Sequence, residues 1–241
     1  MSAYATSLRQ HAGRKARGIV AVALTMITLA IVSAGEIEPE GQALAHLLSA
    51  HWSNAAQYET ADDALRRPPA PGHPYDWLDL QYARFVAVRT PHIPGDAVYL
   101  EWRAGGPEGP ISRQRLWVFQ SDIRPDASPL EGMDFYAFRE PEAWAGRTGW
   151  EDFVDLTPDD LIGYPPGCRL QPVSRGRGVT VLAVDETACV ITAQSGREMG
   201  INARVAIGFD RIEYAESGRL EDGSYAFKVP GTGAYVFERT W

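Results

Sequence analysis

From residue 77 onward, hydrophobic and polar residues alternate in short runs that are typical of β-strands. Turn-forming pairs such as Pro94-Gly95, Gly105-Gly106 and Asp222-Gly223 separate most of these runs, and connections this short make neighbouring strands antiparallel. About ten strands at regular spacing predict a barrel or a sandwich, and a barrel has the advantage of leaving no exposed sheet edge. The predicted strands are Leu78–Val88, Ala97–Arg103, Gln114–Gln120, Met133–Phe138, Arg169–Val173, Gly178–Val184, Cys189–Ala193, Asn202–Ala206, Asp210–Ala215, Ser224–Val229 and Ala234–Arg239.

A different periodicity precedes the strands. Apolar residues at helical spacing predict a helix from Glu38 to Trp52. A second helical piece is predicted from Ser53 to Arg66, with Ser53 or Asn54 as its cap, and a proline-rich segment over 68–74 ends it. Between Pro141 and Pro166 the strand pattern is interrupted, and short helical turns are predicted there.

The first 34 residues have the pattern of an export signal. Four basic residues between positions 9 and 17 precede an apolar run over 18–32, and Val32-Ser33-Ala34 fits a small-residue cleavage site. The run is shorter than the roughly 20 residues that span a bilayer comfortably, which favours a cleaved signal over an uncleaved anchor. We therefore expect a signal peptide over 1–34, one domain over 35–241, and a periplasmic or secreted protein.

Removal of that segment makes the protein strongly acidic. The whole chain has 23 basic and 31 acidic residues, and residues 1–34 hold four of the basic ones and none of the acidic ones, so the mature charge would be −12. Such a surface lacks the excess of cations that neutralises phosphates, which argues against nucleic-acid binding and against anionic membranes.

The chain has two cysteines, Cys168 and Cys189. In an exported protein an even number of cysteines predicts one disulfide. The alternative is a reactive thiol, which would need a nearby histidine or cation, and all five histidines lie far upstream in the sequence.

Searches for common catalytic motifs find no P-loop, Rossmann glycine pattern, His-Glu-x-x-His or Gly-x-Ser-x-Gly. His46 and His51 share a helix face poorly, so no metal site is predicted. The remaining candidates lie on two neighbouring predicted strands: Tyr99 and Glu101 on the first, and Arg113, Arg115 and Trp117 on the second. They could form a charge network that faces water, or they could line a barrel interior. In an aromatic-walled cavity, arginine would bind a carboxylate in bidentate fashion and glutamate would accept N–H donors.

These residues also resemble the motifs of a known family. Trp52-Ser-Asn54-Ala-Ala-Gln57 is similar to an Asn-x-x-Gln signature, Tyr99-x-Glu101 to a Tyr-x-Glu motif, and Arg113-Gln114-Arg115 to Tyr-Arg-Gln-Arg, with Ser112 in place of the tyrosine. Together with the cysteine pair and the closing strand pair at Tyr225–Arg239, they resemble the CpcT/CpeT family of T-type phycobiliprotein chromophore lyases over most of residues 40–239.

The resemblance implies a single antiparallel, calycin-like β-barrel with an N-terminal helix, and a cavity for an open-chain tetrapyrrole (a bilin, such as phycocyanobilin) that the lyase hands to a cysteine of an acceptor protein. It further implies that Tyr99, Glu101, Arg113 and Arg115 contact the ligand, with Trp117 beside them on the same strand as the arginines. Asn54 and Gln57 would tie the helix to the barrel, the two cysteines would clip neighbouring strands, and a homodimer is plausible. No cofactor is required for such chemistry, because the acceptor supplies the thiol.

An export signal would separate this chain from phycobiliproteins, which are cytoplasmic. An exported lipocalin-like protein that binds another small hydrophobic ligand, or a structural envelope protein without catalysis, is therefore the alternative.

Overall fold

Antiparallel strands dominate the computed structural model, which describes residues 38–67, 77–122, 129–192, 196–231 and 233–240. The strands are β1 Ala50–Ser53, β2 Gln81–Val88, β3 Asp96–Ala104, β4 Ile111–Ser121, β5 Leu130–Phe138, β6 Leu161–Ile162, β7 Gln171–Gly176, β8 Val179–Val184, β9 Val190–Thr192, β10 Glu198–Ile207, β11 Arg211–Leu220, β12 Tyr225–Val229 and β13 Tyr235–Thr240. The helices are α1 Glu40–Leu48, α2 Ala55–Thr60, α3 Asp63–Arg66 and α4 Pro141–Trp144, with 3-10 turns at Pro158–Asp160 and Pro166–Cys168.

The strands form one curled sheet. Its order is β6-β5-β4-β3-β2-β1-β13-β11-β10-β8-β7, with β12 paired to β11 and β9 paired to β10. The sheet curls so far that β5 meets the residue before β7: Met133 and Leu170 exchange backbone hydrogen bonds of 2.9 and 3.0 Å. The fold is therefore mainly antiparallel β, a curled calycin-like half-barrel with few helices, as the sequence predicts.

Side chains on the two faces of the curled sheet belong to separate clusters. Strands all around the sheet contribute to the inner cluster, whose largest members are aromatic: Trp52, Phe85, Trp102, Trp117, Phe119, Tyr214, Tyr235 and Phe237. The outer cluster lies on β2–β5 and is covered by the segment over 139–162, which supplies Trp144, Phe153, Leu156 and Leu161. Both faces of β3 and β4 are thus buried, and this arrangement determines where the candidate residues lie.

Helix α1 packs its apolar side against the inner cluster through Leu44, Ala45 and Leu48. The helix approaches β4 closely because residue 41 is glycine. A Cβ at Gly41 would lie 2.8 Å from Ser121 Oγ and 3.0 Å from Phe119 Cβ, so a larger residue would push the helix away. The amide of Gly41 donates a 3.0 Å hydrogen bond to the same Ser121 oxygen.

The ends of the N-terminal helices differ from the sequence prediction. A helix from Glu38 to Trp52 is wrong at its C-terminal end, because the chain turns at Ser49 and enters β1, where Trp52 pairs with Ala83 and Arg239. Trp52 still contacts the helix, because its indole N–H donates a 2.9 Å hydrogen bond to the carbonyl of Leu48, four residues earlier. The piece predicted from Ser53 to Arg66 is divided into α2 and α3.

The predicted helical turns between Pro141 and Pro166 are confirmed by α4 and the turn at Pro158–Asp160. The predicted disulfide is confirmed as well: Cys168 and Cys189 are bonded, both are buried, and they are 21 residues apart in the chain. A disulfide indicates an oxidising environment such as that of exported proteins. The predicted export signal lies outside the described residues. Among those described, the helices are all too short or too polar to span a membrane.

Candidate functional site

The five predicted ligand-binding residues lie on opposite faces of the sheet. In the β3–β4 ladder Glu101 pairs with Gln114 and Trp102 pairs with Arg113, and consecutive residues of a strand point to opposite faces. Arg113, Arg115 and Trp117 therefore lie on the inner face, whereas Tyr99 and Glu101 lie on the outer face. The expectation that all five line one cavity is wrong.

On the inner face, Arg113 binds two residues of β11. Its Nη1 donates a 2.6 Å hydrogen bond to Tyr214 Oη and forms an ion pair with the carboxylate of Glu216. The guanidinium carbon also lies 5.2 Å from the ring centre of Trp102 and 5.3 Å from that of Tyr214, within range of a cation–π interaction. Arg113 thus joins β4 to β11 across the interior of the half-barrel.

The protonation states of this inner group are set by burial and by the arginine. Burial by itself would raise the pKa of Glu216, but the nearby Arg113 guanidinium and the hydrogen bond from Tyr214 hold that pKa below its usual value. Burial together with the adjacent Glu216 carboxylate raises the pKa of the Tyr214 hydroxyl, although Arg113 opposes this shift. At neutral pH the group is an ionised Arg–Glu pair beside a neutral tyrosine.

Arg115 is the second inner cation, and its surroundings differ from those of Arg113. Its Nη1 donates a 2.8 Å hydrogen bond to the backbone carbonyl of Gln114. Among the described ion pairs none includes Arg115, although its charge is near enough to Glu216 to help lower the pKa of that carboxyl. Arg115 is therefore a half-buried cation that no described carboxylate neutralises by direct contact.

A narrow cleft opens beside the two arginines. Its volume is only about 20 Å³, and its walls are mostly apolar. The lining residues are Arg113, Arg115, Trp117, Met133, Phe135, Leu170, Ala203, Val205, Tyr214 and Glu216. The rest of the interior is occupied by the aromatic side chains of the inner cluster, so the half-barrel has a cleft rather than a wide, hollow lumen.

The same two arginines also line a larger groove, which lies where β4 has no neighbouring strand. Pairing between β4 and β5 ends at Leu116 and Tyr136, and the last residues of β5 pair with β6 instead, so that the first half of β4 has no partner on this side. The resulting groove, which we call the lateral groove, has a volume of about 340 Å³. It is lined by Ile111, Ser112, Arg113, Gln114, Arg115, Ala137, Phe138, Pro141, Glu142 and Ala145. Arg113 and Arg115 line both the cleft and the lateral groove.

On the outer face, Glu101 is the centre of a buried network, and its side chain is 1% exposed. Its carboxylate accepts hydrogen bonds from Tyr99 Oη at 2.9 Å, the Gly146 amide at 2.8 Å and Arg103 Nε at 2.9 Å. Arg84 Nη2 approaches more distantly, at 3.4 Å. Burial alone would raise the pKa of Glu101, but these donors hold it below its usual value.

Gln114 completes the outer network, because its Nε2 donates a 2.8 Å hydrogen bond to Tyr99 Oη. In the Arg113-Gln114-Arg115 segment the glutamine side chain therefore lies on the outer face, and the two arginine side chains lie on the inner face. Since the Gly146 amide belongs to the covering segment, Glu101 holds that segment against the sheet. Its geometry is that of a structural carboxylate, enclosed by protein donors.

The sequence interpretation missed Tyr214 and Glu216, which are the inner partners of Arg113. A signal was present, because Tyr214-Ala-Glu216 repeats the Tyr-x-Glu spacing of Tyr99-Leu-Glu101. In both places the tyrosine hydroxyl donates a hydrogen bond to the glutamate two residues later, at 2.5 Å for Tyr214 and 2.9 Å for Tyr99.

Asn54 and Gln57 connect the region of α2 to distant strands. Asn54 Nδ2 donates to the carbonyl of Asp79 at 2.8 Å, and Asn54 Oδ1 accepts from the amide of Gln81 at 2.7 Å. Gln57 bonds β13 in the same two-sided manner, with Nε2 donating to the Ala234 carbonyl at 2.8 Å and Oε1 accepting from the Val236 amide at 2.9 Å. Asn54 does not cap α2 with its side chain, because both of its amide atoms are used at β2.

The described residues hold no cluster of three or more histidine, cysteine, aspartate or glutamate side chains that could bind a metal ion. Both cysteines are in the disulfide, so the chain has no free thiol. The features that could bind a ligand are therefore the cleft, the lateral groove and the two arginines between them.

The class defined by this architecture is an antiparallel calycin-like half-barrel. No family model matches the chain, and no curated protein matches it. Among solved structures, the chain is similar to a selenomethionine form of the CRL protein of Arabidopsis, with a TM-score of 0.57 and 13% identity over 83% of this chain and 97% of that chain. At this identity the similarity establishes the fold alone.

Proposed function

We propose that this protein binds an elongated, largely apolar molecule that carries a carboxylate, with the carboxylate held at Arg115. The observation that carries this proposal is the position of Arg115, a half-buried guanidinium without a carboxylate partner among the described residues, where the apolar cleft meets the lateral groove. A guanidinium in apolar surroundings is satisfied best by a planar oxyanion that accepts two parallel hydrogen bonds.

The dimensions of the site support an elongated ligand. The lateral groove, with a volume of about 340 Å³, is at the lower end of ordinary small-molecule pockets, which span about 300–1,000 Å³. The cleft, with a volume of about 20 Å³, has room for little more than a water molecule. An elongated ligand would therefore lie mainly in the lateral groove, against Phe138, with its carboxylate at Arg115 where the groove meets the cleft. Arg113 would contribute less binding energy than Arg115, because Glu216 already neutralises it.

A bilin is one ligand of this chemical class, since it joins a conjugated apolar frame to carboxylates. The resemblance to the CpcT/CpeT family points to it, and the similarity of the fold to a CRL protein is consistent with a ligand-binding barrel. In a lyase of that kind the protein would act by positioning the bilin for attack by an acceptor protein's cysteine. Both cysteines of this chain are in the disulfide, so the thiol for that step would come from the acceptor, and we propose binding as the function and transfer as a separate property to be tested.

The experiment compares two ligands and two arginines. Purified protein is titrated with phycocyanobilin, followed by its absorption and induced circular dichroism, and with a fluorescent long-chain fatty acid. Binding should weaken about tenfold or more in Arg115→Gln, because a charge-assisted hydrogen bond contributes about 1.5–3 kcal/mol. Arg204→Gln is the matched control, since Arg204 forms an exposed pair with Glu213 on β11.

The result distinguishes the candidates. A spectral change with phycocyanobilin that is lost in Arg115→Gln supports a bilin-binding protein, and transfer can then be tested by adding an acceptor protein with a free cysteine. Binding of the fatty acid alone supports a lipocalin-like carrier. If neither ligand binds, or if Arg115→Gln and Arg204→Gln behave alike, the proposal is wrong.

A structural protein without a ligand is the second candidate, and a specific observation favours it. Arg113, Tyr214 and Glu216 already satisfy one another, and aromatic side chains fill most of the interior. This candidate predicts that neither ligand binds and that Arg115→Gln changes nothing except the surface charge.

A further inference from the structure

A second groove lies on the outer face of β1, β2 and β3, separated from the cleft by the sheet itself. It has a volume of about 560 Å³, and the polar side chains that line it include His51, Tyr82, Arg84, Arg103 and Glu108. We call it the outer groove. It is the largest of the cavities described here, and the ligand proposed above makes no use of it.

The strand register places three nitrogen-bearing side chains on one side of this groove. His51 pairs with Arg84 across β1 and β2, and Arg84 pairs with Glu101 across β2 and β3. Arg103 lies two residues after Glu101 on β3 and faces the same side. Directly paired side chains in adjacent strands are about 5 Å apart at their Cβ atoms, so His51, Arg84 and Arg103 can approach one ligand together.

The two arginines share a single buried carboxylate, and they share it unequally. Arg103 donates to Glu101 through Nε at 2.9 Å and approaches it through Nη2 at 2.7 Å, while its Nη1 donates to the Gly109 carbonyl at 2.9 Å. Arg84 contacts Glu101 at 3.4 Å and the Arg147 carbonyl at 3.5 Å, both through Nη2. Arg103 is therefore well satisfied, and Arg84 is not.

A further observation concerns the Nε of Arg84. This atom is buried and has no hydrogen-bond partner among the described residues, although the Arg84 side chain is 22% exposed. An unmade hydrogen bond at a buried charged group is costly, so such groups normally have a partner. The other carboxylate of the outer groove, that of Glu108, is exposed and is not among the described ion-pair partners of Arg84.

We propose that the outer groove binds an oxyanion group, a carboxylate or a phosphate, at Arg84, with the exposed ring of His51 and the guanidinium of Arg103 on either side. The two long contacts of Arg84 hold it weakly, so its guanidinium can turn toward the groove and present two parallel N–H donors to the anion. Binding would satisfy the Arg84 Nε, which has no partner among the residues that the structure describes. The site is distinct from the cleft, because the same strands present Phe85 and Trp102 to the interior.

The test measures binding of inorganic phosphate and of citrate by isothermal titration calorimetry, in a zwitterionic buffer with sodium chloride adjusted to constant ionic strength. We expect Arg84→Gln to weaken binding by about tenfold or more, the effect of losing a charge-assisted hydrogen bond. His51→Ala should weaken it by a smaller factor, and this exposed residue can be replaced without disturbing the core. Arg204→Gln, an exposed arginine elsewhere on the outer surface, should leave binding unchanged.

Each outcome is informative. Binding of phosphate alone indicates a phosphate-bearing ligand, binding of citrate alone indicates a carboxylate-bearing one, and binding of both supports a site for either oxyanion. If neither anion binds more tightly than chloride, or if Arg84→Gln and His51→Ala both bind as the unsubstituted protein does, the proposal is overturned. If Arg84→Gln fails to fold, His51→Ala and Arg204→Gln still provide the comparison. Failure here would leave the proposal for the cleft intact, because that one is tested with other ligands and at Arg115.

Discussion

Tyr99 donates a 2.9 Å hydrogen bond to Glu101, two residues later on the same strand, and the pair is buried on the outer face of the sheet. Tyr214 and Glu216 repeat this relationship on the inner face of β11. The Arg113-Gln114-Arg115 segment connects the two units, because Arg113 contacts the inner one and Gln114 contacts the outer one. The Arg113-Gln114-Arg115 segment thus makes hydrogen bonds on both faces of β4, next to the opening of the cleft.

Replacing the buried acid of the outer unit should destabilise the fold. Glu101→Gln keeps the shape of the side chain but removes the negative charge between Arg84 and Arg103, so we expect the free energy of unfolding to fall by about 3 kcal/mol. Urea unfolding followed by circular dichroism measures this change. Glu213→Gln is the matched control, because Glu213 forms exposed pairs, and a loss within about 0.5 kcal/mol is expected there. Equal effects of the two substitutions would contradict a structural role for Glu101.

The same carboxylate should make stability depend on pH. Because the folded pKa of Glu101 is held below the ordinary glutamate value of 4.5, its contribution is fully present above about pH 4.5 and is lost as the pH falls through the lower folded value. The difference in unfolding free energy between the unsubstituted protein and Glu101→Gln should therefore shrink between pH 5 and pH 3. Urea unfolding at each pH measures it. A difference that stays constant over this range would show that Glu101 does not carry the dependence.

Strand positions, the disulfide and the fold class could be predicted from the sequence, because they depend on local periodicity, turn residues and cysteine number. The face on which Glu101 lies could not. Alternation identifies the inner face of a strand when the other face is solvated, but β3 is buried on both sides from Ala97 to Trp102. The cover that buries the outer face comes from the irregular segment over 139–162, whose position no strand pattern reveals.

The inner partners of Arg113 could not be found by local reasoning either. Tyr214 and Glu216 follow it by 101 and 103 residues, and they meet it only because the sheet curls until β4 faces β11. Sequence spacing gives the faces within one hairpin but not which strands meet across an interior. The Tyr-x-Glu repeat was a usable clue to the second unit, although it could not assign Arg113 to one unit rather than the other.

The disulfide should stabilise the half-barrel by restricting the unfolded chain. Cys168 and Cys189 close a loop with a sequence separation of 21, for which the entropic model gives about 3 kcal/mol. The double substitution Cys168→Ala with Cys189→Ala should lower the free energy of unfolding by about that amount. The unsubstituted protein should lose a similar amount when it is unfolded in the presence of dithiothreitol, whereas the double variant should not respond to the reductant. A reductant effect of the same size in the double variant would assign the loss to something other than this bond.

Arg113 offers the sharpest test of the inner unit. The side chains of Arg113 and Glu216 are 14% and 12% exposed, so Arg113→Met would leave a nearly buried carboxylate without its cation and should cost about 3–5 kcal/mol of unfolding free energy. The double variant Arg113→Met with Glu216→Leu removes both charges, and we expect it to recover much of that loss because an apolar pair can replace a buried ion pair. Arg211→Met, which removes an arginine that is 52% exposed, is the control and should change stability by less than about 1 kcal/mol. Urea unfolding of the unsubstituted protein, Arg113→Met, Glu216→Leu and the double variant gives the coupling energy between residues 113 and 216. A coupling near zero would mean that the two charges do not interact across the interior, and the arrangement of the cleft described here would then be wrong.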